Sequence, residues 1–214
     1  MIEEIADIYN ENIELIGQAQ KSEIVSKGLW CKSFHCWIIR TSSPGYILFQ
    51  KRSANKMTFP QYFDITSAGH YKAGETIAEG VREIEEELNK KVTFNKLIPL
   101  GIKLDVGRLN NKIIREFCYV FLLCDETKPN EYTLGLDEVE GLIEISIPDG
   151  LDLFSGNKEE IFATGIEYNN STKKIERFQS MVNMSHFIPR IDNYFYKIII
   201  LADRYLKGEK HLII

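Results

Sequence analysis

No apolar run in the 214 residues approaches the roughly 18–20 needed to cross a bilayer, which excludes a membrane-spanning helix. The opening MIEEIADIYNEN is acidic and lacks the basic and then apolar stretch of a secretory signal, so a cytoplasmic protein is expected. Cysteine is scarce. Cys31, Cys36, Cys118 and Cys124 show no C-x-x-C spacing and are too few for a disulfide scaffold, so reduced thiols are expected. Positive charge is also short: 26 Lys and Arg against 31 Asp and Glu leave a net charge of −5. That balance argues against nucleic-acid polymers as the main partner. A phosphorylated small molecule is still allowed, because it needs only local positive charge or a bound metal. There is no internal repeat and no low-complexity tract.

What is present is an ordinary globular composition, 44% hydrophobic and 27% charged, in a length that suits one domain with a small terminal addition. Residues 4–9 and 13–18 read as short strands around Asn10-Glu11-Asn12, and Ser22–Lys27 as one helical turn. SFHCWIIR (33–40) and GYILFQKR (45–52) predict a hairpin across Thr-Ser-Ser-Pro. Strands are expected at 92–105 and 112–124, a hairpin around Asn169–Lys174, and a long helix over Ile191–Tyr205. We read this as a 1–165 domain with a 166–214 hairpin-and-helix extension packed on it. The apolar face of Ile191–Tyr205 suits either that packing or a homodimer.

The informative stretch is GHYKAGETIAEGVREIEEELN, residues 69–89. Thr76 and Glu79 have the spacing of a capping box, Ile77, Val81, Ile84 and Leu88 form a helical stripe, and Asn89 suits a left-handed stop. On such a helix Glu83, Glu86 and Glu87 project together and repel one another. Two readings are open at this point: a solvated acidic face, or a site where a hard divalent cation collects the carboxylates.

Gly69, Glu75, Arg82, Glu83, Ile84, Glu86 and Glu87 spell G-x5-E-x6-R-E-U-x-E-E, with U a bulky aliphatic. This resembles the Nudix box, G-x5-E-x7-R-E-U-x-E-E-x-G-U, the signature of the Nudix (MutT-like) pyrophosphohydrolases. Two departures stand out: the second spacer is one residue short, and Asn89 replaces a Gly. The resemblance implies an α/β (α+β) fold, a Nudix-type α/β/α sandwich with a mixed central sheet. It also implies metal at Glu83, Glu86 and Glu87, bracing by Glu75 and Arg82, and a catalytic set of Glu83, Glu86, Arg82 and Glu116. The implied cofactor is Mg²⁺ or Mn²⁺, and the implied substrate a small diphosphate compound such as a nucleoside diphosphate derivative. Water attacks phosphorus and expels the other phosphate.

KGLWCKSFHCWII, MTFPQYFDITSAGHYKAGE and EFCYVF are similar to the Nudix subgroup related to isopentenyl-diphosphate isomerase. That enzyme needs a catalytic Cys where Ala68 stands here, and its metal-binding histidines fall on Ile24 and Cys31. Hydrolysis is therefore expected, with isomerisation or a non-catalytic ligand-binding module as alternatives. Lys51, Arg52, His70 and Phe63 are the substrate-binding candidates, with Trp30 and Tyr62 as further stacking surfaces. The general base is left among Glu86, Glu116, Glu138 and Glu140. His35 is read as a core or pocket-wall residue.

Overall fold

The computed structural model describes residues 4–214, apart from the side chain of Leu109. A two-stranded hairpin, β1 (Ile5–Tyr9) and β2 (Leu15–Gln20), leads through α1 (Lys21–Lys27) into the main sheet. That sheet holds β3 (Cys31–Arg40), β4 (Tyr46–Arg52), β5 (Phe63–Asp64), β6 (Ser67–His70), β7 (Ile98–Leu109) and β8 (Lys112–Cys124), followed by β9 (Val139–Ser146), β10 (Glu160–Asn169) and β11 (Lys174–Asn183). Its order is β11-β10-β9-β4-β3-β8-β7, with β5 on β4 and β6 on β3. The β3–β8 pair is parallel and the others are antiparallel, so the sheet is mixed.

The sandwich follows from alternation along β3. Phe34, Cys36 and Ile38 point to the layer holding α2 (Arg82–Leu88), whose Ile84 and Leu88 are buried against them. Trp37 and Ile39 point the other way, to α3 (Ile147–Ser155) and α4 (Tyr194–Leu206). A strand buried on both faces reads as a continuous apolar run rather than a strict alternation, as CWII (36–39) does. At roughly 25 cal/mol per Å², each fully buried aliphatic side chain contributes about 1.5–3 kcal/mol.

β3 and β4 pair only at Ile39–Ile47 and Arg40–Tyr46, then part. Thr66 fills the fork: its hydroxyl accepts from the Ile38 N–H at 3.1 Å and donates to the Leu48 carbonyl. This satisfies buried backbone groups that a full ladder would have paired, and it leads β6 into the glutamate-rich segment.

The strand at 112–124 falls where expected. The strand expected at 92–105 instead starts at Ile98, behind a 3₁₀ turn at Phe94–Lys96. α3 was not foreseen, although Ser146 caps Asp149 at 3.1 Å, a proline sits in its first turn and Gly156 ends it at φ 84°. The expected division at 165/166 falls inside β10, whose Thr164–Glu167 pair with β9, so no boundary lies there. The long C-terminal helix buries Tyr194, Phe195, Ile198, Ile199, Leu201 and Ala202 in the same core, which leaves that face to intramolecular packing. No helix among the described residues is long and apolar enough to cross a membrane.

Candidate active site

The glutamate segment begins as a 3₁₀ turn over Ile77–Val81 and becomes α-helical at Arg82. The Glu79 carboxylate accepts from the Thr76 N–H at 2.7 Å and its hydroxyl at 2.8 Å, and Asn89 closes the helix at φ 49°. The 3₁₀ winding explains how the short spacer is absorbed. Such a turn advances about 2.0 Å and 120° per residue against 1.5 Å and 100° for an α-turn. Five residues wound this way, Ile77–Val81, turn about as far as six α-helical ones, with Thr76 extended ahead of them. Glu75 accordingly keeps its partner: Arg82 Nε donates to it at 2.8 Å and the Lys72 N–H donates at 2.8 Å.

Arg82 is the hub. It also reaches Glu83 at 2.8 Å, Glu86 at 2.7 Å and the His70 carbonyl at 3.3 Å. Glu83 is buried, with its carboxylate lying on the Cα of Gly69 so closely that any Cβ there would fall under 3.0 Å from it. This is why the segment needs glycine at 69. Burial raises the Glu83 carboxyl above its ordinary range, with Arg82 opposing. Glu87 is deeper still: burial pushes it up to about 8, although the Ala68 N–H donates to it at 3.0 Å and Gln50 at 3.3 Å.

Glu83 and Glu86 line a cleft of about 430 Å³ with His70, Arg52, Glu116 and Glu138, within the ordinary size of a small-molecule site. Glu87 does not line it, because its oxygens are turned back to β6 and β4. The three helix carboxylates therefore do not converge: Arg82 and Lys72 draw Glu86 outward while Glu87 is held inward. Among the described residues, donors within 4.8 Å of one another occur in two triples, Cys31–His70–Glu116 and His35–Glu116–Cys118. The helix carboxylates still suit a hard divalent cation, being oxygen donors of which Glu83 and Glu87 are buried.

Glu116 points into the cleft and bonds His70 Nε2 at 3.1 Å. Burial alone would raise its carboxyl, but the imidazolium outweighs this and holds it low; Glu116 in turn raises His70 against the same burial. His35 forms the buried floor, 3.0 Å from the Tyr194 hydroxyl, and burial pushes its pKa down to about 3.

Several sequence expectations are corrected. Phe63 is buried against Phe178 and Phe187 and does not reach the cleft. Lys51 sits outside it, bonded to Glu167 at 2.7 Å. Arg52 lines the cleft, but its guanidinium is committed to the Thr58 carbonyl at 3.1 Å and Asp64 at 3.3 Å, which makes it an anchor for the 53–62 loop. Glu140 is buried against Ser53 and Gln61, whereas Glu138 reaches the cleft with Lys56 at 2.8 Å. Gly135 permits this, since its N–H donates to the Glu87 carbonyl at 2.8 Å and a Cβ would strike the Glu86 carbonyl. Trp30 stacks on Phe117 at 4.5 Å and Tyr62 packs on Phe59, so neither is a free platform.

Sequence reasoning missed Asp64, Asp105 and Arg190. Arg190 bonds both carboxylates at 2.9 Å, and all three line the cleft. Burial opposes the Asp64 charge, but Arg190 and Arg52 hold its carboxyl low. Nothing local marked Arg190, which lies 126 residues from the aspartate it holds.

This mixed sheet with helices on both faces is a fold shared with a solved structure. The crystal structure of DR0079 from Deinococcus radiodurans superposes with a TM-score of 0.55 at 22% identity, over 72% of this chain and 91% of that one. No family model matches the sequence. Relatives do: an uncharacterized Nudix hydrolase of Clostridium acetobutylicum is 39% identical over 204 residues, 94% of this chain and 98% of its own. Nudix hydrolase 3 of Arabidopsis thaliana is 30% identical over 81% of this chain, which spans only 21% of that longer protein. The chain belongs to the Nudix hydrolase family.

Proposed function

We propose that this Nudix hydrolase cleaves a diphosphate linkage in a nucleoside diphosphate derivative or related small molecule by water attack at phosphorus. The observation that carries the reading is Glu83, a carboxylate seated on Gly69 and facing a cleft it shares with Glu86. Glu83 and Glu86, which line the cleft, are the residues that would hold Mg²⁺ or Mn²⁺, and Glu87, expected with them, would join only if it gave up Ala68 and Gln50. When bound, such a cation neutralises diphosphate charge and acidifies water. Arg82 keeps Glu83 and Glu86 in place and is itself braced by Glu75. Glu116, held low by His70, is a weak proton acceptor. We therefore assign the base to Glu86 or Glu138, both exposed to the cleft. Ala68 lines the same wall and offers no thiol, which argues against allylic isomerisation. The free cysteines fit a reducing cytoplasm.

The test is phosphate or phosphoryl-product release across a panel of diphosphate compounds with Mg²⁺ or Mn²⁺, for the wild type and Glu86→Gln. Turnover of one compound that falls by at least about 10²-fold in the variant supports the reading. No release from any compound, or isomerised isopentenyl diphosphate instead, overturns it.

A further inference from the structure

The β1–β2 hairpin is a separate sheet, yet it bonds the segment that carries Glu75. Residues 72–75 make a tight turn: the Glu75 N–H donates to the Lys72 carbonyl at 3.1 Å, and Gly74 takes φ 81°. A Cβ at Gly74 would meet nothing within 4 Å, so the left-handed angle is what calls for glycine there. The N–H groups of the two central residues must find acceptors elsewhere. β1 supplies both. The Ile5 carbonyl accepts from the Ala73 N–H at 2.9 Å, and Asp7 Oδ2 accepts from the Gly74 N–H at 3.0 Å. The other Asp7 oxygen accepts from Gln18 Nε2 at 2.9 Å, and Gln18 stands directly across the hairpin. The two oxygens thus tie the turn to β2.

We propose that Asp7 is a positioning residue of the active site, acting on Glu83 and Glu86 through the 72–75 turn, Glu75 and Arg82. The inference rests on the hydrolase reading of the cleft. Its links are continuous. Glu75 accepts from the Lys72 N–H at 2.8 Å, so its carboxylate moves with the turn. It holds Arg82 by two bonds, from Nε at 2.8 Å and from Nη2 at 3.1 Å. A paired bond of this kind fixes the orientation of a guanidinium as well as its distance. That guanidinium lies 2.8 Å from Glu83 and 2.7 Å from Glu86. Among the described residues, Asp7 is the side chain from outside 72–75 that bonds the backbone of this turn. A carboxylate is a stronger acceptor for an N–H than a neutral oxygen, and without it the exposed Gly74 N–H has only water. Asp7 does not itself line the cleft, so its effect on the chemistry passes along these bonds.

The experiment compares Asp7→Ala, Asp7→Asn and Gln18→Ala with the wild type in the full chain. It reads steady-state kinetics, thermal unfolding and, in the metal-free chain, the NMR signal of the Arg82 Nε–H. Asp7→Ala is expected to lower kcat at least about fivefold, part of the roughly 10²-fold that a displacement of about 1 Å costs. KM should stay within about twofold, because these bonds hold carboxylates of the site rather than substrate. The Arg82 Nε–H signal should broaden toward solvent exchange, while the thermal transition stays in place, the bond being at the surface. Asp7→Asn keeps an oxygen that accepts from Gly74 and should restore both kcat and the signal. Gln18→Ala loosens the hairpin but leaves the Gly74 bond, and should behave as the wild type. Wild-type kcat in Asp7→Ala, or an unchanged Arg82 signal, overturns the proposal. So does a loss that Asp7→Asn does not restore, or one that Gln18→Ala reproduces. A wild type that turns over no diphosphate compound is a failure of the hydrolase reading instead. The Arg82 signal, which needs neither substrate nor metal, then decides the positioning role by itself.

Discussion

Gly69→Ala isolates the link between backbone and chemistry. Gly69 does not occupy the left-handed region, so alanine costs the backbone nothing there. The new methyl would lie under 3.0 Å from the Glu83 carboxylate, whereas ordinary contact begins at 3.4 Å. The yielding atoms are the end of a flexible side chain, so the carboxylate withdraws by about 1 Å, and misplacement on that scale costs about 10²-fold in rate. That corresponds to about 2.7 kcal/mol of transition-state stabilisation. The same withdrawal strains the 2.8 Å contact with Arg82, but Arg82 retains Glu75 and Glu86. The fold should lose no more than about 1 kcal/mol. The assay is kcat/KM on whichever diphosphate compound the wild type turns over, with thermal unfolding and Mn²⁺ binding alongside. Wild-type kcat/KM in Gly69→Ala refutes the reasoning, as does a variant that is inactive only because it is unfolded.

Glu87→Gln changes how stability depends on pH in the metal-free chain. The folded carboxyl, near 8, binds a proton that the unfolded one releases near its ordinary value of 4.5. Its contribution therefore falls as pH rises between those values. Urea titrations should show this slope in the wild type and a shallower one in the variant. His70, raised by Glu116, should keep an imidazolium signature in NMR at pH 8. Glu116→Gln should lower it, because burial is then opposed by Cys31 alone; titration of wild-type His70 near 6.5 contradicts the pair. Lys51→Ala, in contrast, should leave KM within about twofold, since its ammonium serves Glu167 outside the cleft. A large rise in KM would return Lys51 to the substrate.

Local pattern carried the glutamate helix because its signals are short-range. A capping pair three residues apart, an apolar stripe at helical spacing and a left-handed stop all act within one segment. The same holds for β8 and the 169–174 turn. The strand-end cations misled because Lys51 and Arg52 look free in sequence, while their partners lie 116 and 12 residues away. Phe63 misled for a related reason: aromatic character is local, but which layer it faces depends on Phe178 and Phe187 arriving from the C-terminal segment. The 166–214 segment read as an appendage, yet its Arg190 forms part of the cleft wall.

The sequence alone marked the carboxylates at issue, since spacing along one helix specifies them, and its resemblance to the Nudix box implied the family, the sandwich and the bracing arginine. Only the tertiary structure decided which carboxylates reach the cleft. Glu83 faces it over Gly69, Glu86 is drawn outward by Arg82 and Lys72, and Glu87 is tied back to Ala68 and Gln50. Helical periodicity puts three side chains on one side of a cylinder. The backbone donors and cations of distant strands then set where each charge comes to rest.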